Sequence, residues 1–307
     1  MELNKIDKDL LLTIADLHDI PTGAYNIRKD GKLVSRSVNA NIDIVSKTDK
    51  SGIDIYIKKG TKNQSVHIPV IVSEAGLKDL VYNDFYIDED CDVTIVAGCG
   101  IACGSSEDEG HDGIHSFHIK PNSKVVYIEK HYAMGNGSGK RILNPVTYVE
   151  MEKNSYMKME TVQIGGVTTS IRNTEAVLGD GAKLEISEKI MTSDDEYAET
   201  NFKVDLNGKD SSTHVVSRAV AKNNSKQIYT SVISGNNKCF GHTECDAIIM
   251  DNANIVAKPE ITAKSTEASL IHEAAIGKIA GEQIIKLQTL GLTEHEAEQE
   301  IINGFLK

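Results

Sequence analysis

Similar polar turns recur along this sequence at intervals of 27 to 32 residues, and this spacing limits the folds that the chain can adopt. The segments IKPNSKVVY at 119, MEKNSYMKM at 151 and LGDGAKLEI at 178 share an apolar residue, a polar turn and alternating apolar positions. LNGKDSSTHVV at 206 fits this pattern with one residue inserted. The interval is the length of one coil of a β-solenoid, whose coils stack their strands in parallel. A β-sandwich with regular turns would produce the same periodicity.

The body of the chain, from about Val66 to Asp251, has the pattern of strands and not of helices. Short runs rich in Val, Ile, Tyr and Thr alternate with Gly, Asn and Asp, which favour turns. Aromatic residues make up 5% of the chain and tryptophan is absent, so aliphatic side chains must fill the interior. We therefore expect a mainly β fold whose core covers residues 66–262, as either a β-solenoid or a β-sandwich.

The N-terminal region, residues 1–65, is expected to contain an amphipathic helix followed by a pair of strands. The strand pair is indicated by Asp30–Gly31, a dipeptide that favours tight turns between strands. The helix is indicated by apolar residues at helical spacing, namely Ile6, Leu10, Ile14 and Leu17.

The C-terminal region, residues 263–307, is expected to form a helical hairpin. The segment ASLIHEAAIGKIAGEQIIKLQTLG has apolar residues at helical spacing and ends at Gly291, a suitable C-cap. Thr293 and Glu296 then form a capping box for a second helix. The apolar positions of the two predicted helices are Ile276, Ile279, Ala280, Ile284, Leu287, Leu290, Ile301, Ile302 and Phe305.

Composition and charge exclude several classes of function. The formal net charge of −12 argues against a nucleic-acid surface, because such surfaces are basic. No apolar run reaches the length of a membrane span, and the N-terminus has the pattern of an amphipathic helix, not of a signal peptide. Five cysteines, an odd number, do not suit a disulfide framework. We therefore expect a cytoplasmic protein with reduced thiols.

Residues 99–118, CGIACGSSEDEGHDGIHSFH, concentrate thiols and imidazoles, which are ligands for zinc, copper(I) and iron–sulfur centres. Along an extended strand His115 and His118 point to opposite faces, so His118 is the weaker candidate. The residues that can converge across the glycine-rich loop are Cys99, Cys103, His111 and His115. The alternative is a glycine turn with buried thiols and partly exposed imidazoles.

Cys245, in the segment CFGHTECDAIIMD, is the second candidate ligand. In an extended chain it shares a face with Thr243, whereas His242 and Glu244 lie on the opposite face. Taken alone, Cys245 is expected to be a small buried hydrophobic residue of the core.

Two further segments resemble catalytic motifs but lack essential residues. His272–Glu273 matches the start of the zinc-protease motif, but Ile276 stands where the second histidine is required. In MGNGSGKR, Met134 replaces the first glycine of a phosphate-binding loop and Arg141 replaces its Ser or Thr. We therefore expect neither a metalloprotease nor a chain that hydrolyses nucleotide itself.

The C-terminal third resembles the core of the SufB/SufD family, the scaffold subunits of the SUF iron–sulfur assembly machinery. The resemblance runs from about Gly241 to Phe305, through GHTECDAIIMD, KPEI and ASLIHEAAIGKIAGEQIIKLQTLGLTEHEAEQEIINGF. The C-D dipeptide, the H-E pair, the G-E-Q step and N-G-F occur in the family's order. The family's parallel, right-handed β-helix agrees with the strand-rich body of the chain.

The resemblance also implies which residues bind the cluster. Cys245 falls on the cysteine that the SufB-type scaffold uses in assembly, and His272 and Glu273 fall on the family's histidine–glutamate pair. Ile271 replaces an acid of that pattern, so one potential ligand is missing. Glu244 is a further candidate beside Cys245. The compact, single-type form of the family shares the pattern CGIxxCG…HDGIHxF…VxYxEKHY, and this brings in Cys99, Cys103, His111 and His115.

By this resemblance the chain is a non-catalytic scaffold that holds a transient iron–sulfur cluster, expected to be 4Fe–4S, or iron. Mixed thiolate, imidazole and carboxylate ligands would hold the cluster less permanently than four cysteines. Two scaffold chains would form a homodimer and bind two SufC-type ABC ATPase chains. The residues expected to contact the ATPase are Ile276, Ile279, Ile284, Leu287 and Phe305.

Two other functions are compatible with a β-helix. A stand-alone metalloprotein or metalloenzyme would hold permanent zinc or iron at Cys99, Cys103, His111 and His115. A polysaccharide enzyme would need aromatic platforms for sugar rings, and the low aromatic content disfavours it.

Overall fold

The chain runs back and forth between two ten-stranded sheets whose inner faces enclose one interior. The structure is a computed structural model that describes residues 4–15, 17, 21 and 23–307. Successive strands of each sheet are parallel over most of its width, so the fold is a β-solenoid of about eight turns. The predicted mainly β solenoid is confirmed, and the β-sandwich is excluded because its sheets would be antiparallel.

The elements before residue 140 form the first coils and a helix that packs on them. They are α1 Lys5–Ala15, β1 Ala24–Lys29, β2 Lys32–Ser37, β3 Ile42–Ser46, β4 Gly52–Ile57, β5 Lys62–Val72, β6 Lys78–Ile87, β7 Asp92–Ala102, β8 Glu109–Ile119 and β9 Lys124–Met134. The elements after residue 140 complete the solenoid and add two helices. They are β10 Arg141–Leu143, β11 Val146–Met151, β12 Tyr156–Ile164, β13 Thr169–Leu178, β14 Lys183–Thr192, β15 Tyr197–Leu206, β16 Ser211–Ala221, β17 Lys226–Gly235, β18 Cys239–Ile249, β19 Asn254–Ala263, β20 Ala268–Gly277, α2 Gly281–Gln288 and α3 Glu294–Phe305.

Parallel pairing in continuous register sets the repeat that is visible in the sequence. Sheet A has the order β2-β1-β5-β7-β9-β12-β14-β16-β18-β20, and sheet B has the order β19-β17-β15-β13-β10-β8-β6-β4-β3, with β11 continuing β10 between β8 and β13. In sheet A, Tyr127 pairs with Met159, Met159 with Ile186, and Ile186 with Val215. Side chains one coil apart therefore lie directly above one another.

The recurring polar turn closes each coil between sheets B and A. Asn122 and Asn154 occupy the same corner of successive coils with φ of 60° and 57°, a left-handed conformation that asparagine tolerates. The Asn122 N–H donates to the carbonyl of Lys153 at 3.1 Å, and the Asn154 N–H donates to that of Asp180 at 2.8 Å. The turns thus stack like the strands, which explains why their residues recur.

Side chains alternate between the interior and the surface along each long strand. In β14 the buried positions include Leu184, Ile186, Glu188 and Ile190. Aliphatic residues dominate the interior, as the absence of tryptophan requires, and Phe85 and Phe117 stack in it with ring centroids 4.4 Å apart. The buried carboxylate of Glu188 shows that the interior is not purely apolar.

Helix α1 covers the outer face of sheet A near the start of the solenoid. It contacts β5, β7 and β9, and the fully buried carboxylate of Asp7 accepts a hydrogen bond from Lys29 Nζ at 2.7 Å. Gly98 allows this approach, because a Cβ there would lie 2.5 Å from the carbonyl oxygen of Ile14. The predicted strand pair at Asp30–Gly31 is also present, as the antiparallel strands β1 and β2.

The C-terminal region differs from the sequence prediction. Residues 268–277, expected to be helical, form strand β20, which pairs in parallel with β18. Helix α2 begins only at Gly281, and α3 has the predicted capping box of Thr293 and Glu296. The solenoid strands therefore extend beyond residue 262. The hydrogen bonds to β18 determine the conformation of this segment. Because β20 ends the sheet, its side chains are half-buried or exposed, and their helix-like apolar spacing does not determine the structure.

Among the described residues, no helix combines the length and the apolar composition that a membrane span requires.

Gly98→Ala is predicted to lower the free energy of unfolding by about 1–3 kcal/mol, because its methyl group collides with the α1 backbone. Chemical denaturation measures this change. Gly104→Ala is the matched control from the same segment, since its Cβ would have no heavy atom within 4 Å. Equal stability of the two variants would show that α1 does not pack against β7 in this way.

Candidate functional site

The first set of predicted ligands divides between two places. Cys99 points into the interior from β7, where it pairs with His131 of β9. His111 and His115 point inward from β8, and all three line one small buried cavity. Cys103 lies apart from them, at the corner after β7. The four-ligand site expected of a permanent metal centre is therefore not assembled.

The cavity beside Cys99 has a volume of about 20 Å³, which is room for roughly one water molecule. A Cβ on Gly113 would lie 3.2 Å from His115 Nε2 and 3.3 Å from His111 Nε2, so both imidazoles approach the space that this glycine leaves open. The lining residues are Ile68, Val70, Asn83, Ala97, Gly98, Cys99, His111, Gly113, His115, Glu129, His131 and Pro145.

A buried hydrogen-bond network fixes the orientation of these side chains. His115 Nδ1 lies 2.7 Å from Tyr127 Oη, which donates to Glu129 Oε1 at 3.0 Å. His115 Nε2 faces the Asn83 amide nitrogen at 3.3 Å. Because the amide donates, Nε2 accepts and the proton of neutral His115 resides on Nδ1. This imidazole is held in one tautomer.

Glu129 and Arg172 form the charged centre of the network. Arg172 donates to Glu129 Oε2 and, at 3.2 Å, to His131 Nδ1, while its Nε lies 3.8 Å from Glu188 Oε1. Burial alone would raise the pKa of Glu129, but the charge of Arg172 and a hydrogen bond from His131 outweigh it and hold this pKa well below its usual range. Burial lowers the pKa of His131 and raises that of Cys99 well above its ordinary value. The Cys99 thiol and the imidazoles of His115 and His131 are therefore neutral.

Sequence reasoning did not single out Glu129, His131, Arg172 or Glu188 by their chemistry. The signal was present in β9, where Tyr127, Glu129 and His131 alternate along a strand and so share its inner face. Three polar residues on the buried face of a strand indicate an interior network.

Cys245 lies nearer the C-terminal end of the solenoid, on the inner face of β18. It is fully buried and lines a second cavity, of about 10 Å³, with Glu188 and Ser217. Ser217 Oγ donates to Glu188 Oε2 at 2.7 Å, and Ser217 pairs with Cys245 across the strands. Burial, with a smaller contribution from the charge of Glu188, raises the pKa of Cys245 to about 12. A buried neutral thiol is the resting form.

His272 and Glu273 lie on strand β20 and not on a helix, so their side chains point to opposite faces of sheet A. His272 pairs with Thr243 and shares the inner face with Cys245. Its Nδ1 is buried and has no hydrogen-bond partner within the described part of the chain, and burial lowers its pKa. An unpaired imidazole nitrogen one strand from Cys245 is available as a ligand.

Glu273 joins an outer group that the sequence predicted only in part. Ligand atoms of His242, Glu244 and Glu273 all lie within 4.8 Å of one another. His242 Nε2 is 3.5 Å from Glu273 Oε2, and the His242 ring stacks on His214 with centroids 4.9 Å apart. His242 is a candidate that sequence reasoning placed beside Glu244 but did not select. The C-terminal candidates thus occupy both faces of the last strands of sheet A.

His118, also predicted as a metal ligand, lies on the outer face of sheet B and outside the cavity of Cys99, His111 and His115. Its ring stacks on Tyr86 with centroids 5.1 Å apart, and its Nδ1 is 2.9 Å from Glu150 Oε2. This agrees with the lower rank that strand alternation gave it.

The residues predicted to contact an ATPase occupy several environments. Ile279 and Phe305 pack against the apolar cluster of Val220 and Ile302, between the helices and the solenoid. Ile284 and Leu287 are half-buried on α2, and Ile276 is exposed on β20. The most exposed apolar side chains of the hairpin are instead Ile285 and Leu290.

His115 is predicted to make stability depend on pH. Its pKa is lowered by burial to about 4 from 6.5, so the unfolded chain takes up a proton between these values that the folded chain does not. The contribution of His115 to the free energy of unfolding is therefore fully present above pH 6.5, and about 3 kcal/mol of it is lost as the pH drops towards 4. Denaturation of metal-free protein across this range should show a shallower loss in His115→Gln. His118→Gln, at the surface, should match the wild type, and an equal slope in all three proteins would contradict the assignment.

Comparison with known proteins identifies the family of the chain. A family model described as SUF system FeS cluster assembly, SufBD core domain, matches residues 82–305. An iron–sulfur cluster assembly SufBD family protein of Methanocaldococcus jannaschii is 26% identical over 92% of this chain and 90% of its own length. Proteins with the same family description from Methanothermobacter thermautotrophicus and Staphylococcus epidermidis are 27% and 26% identical over 77% and 72% of this chain. The chain spans 57% and 47% of the lengths of these two relatives. It belongs to the SufB/SufD family of iron–sulfur cluster assembly proteins.

Proposed function

We propose that the chain is a scaffold, not an enzyme, on which a nascent iron–sulfur cluster is held and then released. The cluster is cargo, expected to be 4Fe–4S, and its assembly site lies at the C-terminal end of the solenoid. The observation that carries this proposal is the position of Cys245, buried one strand from His272 and Glu273 at the edge of sheet A. The five unpaired cysteines fit a reducing compartment, which we take to be the cytoplasm.

The ligand types support transient binding. Thiolate, imidazole and carboxylate are all competent iron ligands, and a mixed set holds a cluster less tightly than four thiolates. β20 is the final strand of sheet A, so ligands on its inner and outer faces, His272 and Glu273, both lie next to the same open edge. Iron would displace the proton of Cys245, because only the thiolate binds metal.

The buried state of Cys245 implies control of access. Its thiol is fully buried, so an incoming iron or sulfide cannot reach it without a local opening of the last coil. β19 and β20 are the least buried strands of the solenoid, which makes this coil the part that opens at least cost. A partner that rearranges this end would therefore expose the ligands.

The open end also supports a homodimer. Ile261 and Ile276 occupy inward positions, since they pair with the buried residues Ile233 and Ala247. They are nevertheless 44% and 40% exposed, because no further coil covers the interior within the described part of the chain. Solenoids need a cap at such ends, and unpaired strand edges favour the addition of strands from a second chain. A second copy of the chain would extend both sheets.

The energy source is proposed to be a SufC-type ABC ATPase, two copies of which would bind the scaffold dimer. The segment 134–141 that resembles a phosphate loop joins strand β9 to strand β10, whereas a nucleotide-binding loop leads into a helix. The helical hairpin is the proposed docking surface, where Ile285 and Leu290 are 60% and 75% exposed. Copurification of the ATPase with wild-type chain and with Ile285→Asp tests this contact.

Cys245→Ser is predicted to abolish a labile cluster formed by anaerobic reconstitution with iron and sulfide, as measured by absorption and Mössbauer spectra. Even changes around a ligand lower metal affinity by about 10–100-fold, so loss of the ligand itself should cost at least as much. Cys239→Ser is the matched control, since Cys239 is buried on the same inner face of the same strand. A cluster of wild-type yield in Cys245→Ser would refute the proposal.

Ile261→Lys combined with Ile276→Lys is predicted to convert a dimer into a monomer, because two charges would be buried at the interface. Light scattering coupled to size-exclusion chromatography measures the mass. Val177→Lys is the control, since Val177 is 43% exposed on the outer face of a central strand. A wild-type chain that is monomeric, or a double variant that stays dimeric, would rule out this interface.

A further inference from the structure

The corner that joins β7 to β8 brings together groups that the cluster proposal does not use. Residues 103–108 form this corner, and residues 135–140 of the next coil stack on it. The Gly137 N–H donates to the Cys103 carbonyl at 3.2 Å, and the Gly139 N–H donates to the Ser105 carbonyl at 3.1 Å. The two loops therefore lie in direct contact, with the thiol of Cys103 at their junction.

The thiol is surrounded by acceptors. Cys103 Sγ lies 3.5 Å from the Ser105 carbonyl oxygen, 3.7 Å from that of Gly139 and 3.9 Å from that of Glu107. A Cβ on Gly137 would lie 2.9 Å from Cys103 Sγ, so the sequence GNGSG provides the close approach of the second loop. A thiol has one proton and can satisfy only one of these oxygens.

Glu109 adds a carboxylate to the same junction. It is fully buried, and its Oε1 accepts from Ser105 Oγ at 3.3 Å. Its Oε2 is buried with no hydrogen-bond partner among residues 4–15, 17, 21 and 23–307. Burial raises the pKa of Cys103, and the interaction with the Glu109 carboxylate raises it further.

The positive charge near this junction does not satisfy these groups. Arg141 donates through NH1 to the Gly135 carbonyl at 3.3 Å. The charge of Arg141 lowers the pKa of Cys103, but this effect is smaller than the increase caused by burial and by Glu109. A buried thiol and a buried carboxylate with an unpaired oxygen thus lie at one junction with three carbonyl oxygens, of which that of Ser105 already accepts from the Gly139 N–H. A cation bound by the thiolate would pair with the carboxylate oxygen.

We propose that Cys103 Sγ and the Glu109 carboxylate bind one divalent transition-metal ion of the Fe²⁺ or Zn²⁺ class at this corner. A thiolate ligand favours such ions over Mg²⁺ and Ca²⁺, whereas the carboxylate and the carbonyl oxygens supply harder ligands. Binding replaces the thiol proton, which is released to solvent, and no electron is transferred. The site is separate from Cys99 and Cys245 and does not depend on where the cluster is assembled.

Anaerobic titration with Co²⁺ tests this site through the charge-transfer absorption of a thiolate–cobalt bond. The parent protein is the full chain with Cys99→Ser and Cys245→Ser, so that the other proposed ligands cannot contribute. We expect the parent to bind about one Co²⁺ with this absorption. Adding Cys103→Ser should abolish the absorption, and adding Glu109→Gln should weaken Co²⁺ affinity by at least about tenfold.

Cys91→Ser in the same parent is the matched control, because the Cys91 thiol also faces backbone carbonyls, those of Lys58 at 3.2 Å and Glu89 at 3.6 Å. It should leave the absorption and the affinity unchanged. Persistence of the absorption after Cys103→Ser, or parental affinity in Glu109→Gln, would overturn the proposal. Glu109→Gln preserves the size of the side chain, so it decides the question even if Cys103→Ser fails to fold.

Discussion

Parallel hydrogen bonding in continuous register between coils is the constraint on which the rest of this structure depends. It places one residue of each coil directly above its counterpart in the next, and the inner positions are shielded from water. One such column in sheet A consists of Glu129, Thr161, Glu188, Ser217 and Cys245. Because a buried polar group without a partner is costly, polar residues in the column must satisfy one another or their neighbours in sheet B. The register therefore decides both the stability of the interior and the surroundings of its thiols.

Arg172 shows how this requirement links the two buried cavities. It enters the interior from sheet B and lies between Glu129, which lines the cavity of Cys99, and Glu188, which lines the cavity of Cys245. Its single positive charge faces two carboxylates, so Glu129 is ionised while burial raises the pKa of Glu188. Burial, with smaller contributions from nearby carboxylates, raises the pKa of the thiols at both cavities, so metal binding at either must displace a proton.

The sequence predicts features of the structure that repeat in each coil, but not contacts between residues that are distant in the chain. The turn residues Asn122 and Asn154 recur because each coil needs the same left-handed corner, so the solenoid could be predicted from them. Strand alternation likewise separated His115 from His118. The sequence could not show that Cys103 lies at a corner away from Cys99, or that β20 pairs with β18 despite a helix-like apolar spacing. Both features depend on contacts between coils. The pairing of Arg172 with Glu129 joins residues 43 apart and has no local signature.

If iron is held at the C-terminal end of the solenoid, the position of bound iron in a crystal will show it there. Anomalous diffraction at the iron edge, from crystals of chain loaded anaerobically with iron and sulfide, would give this position. We expect an iron peak beside Cys245 and His272, at the open edge of β20. Iron found only in the cavity formed by Cys99, His111 and His115 would contradict it and would identify the interior network as the assembly site.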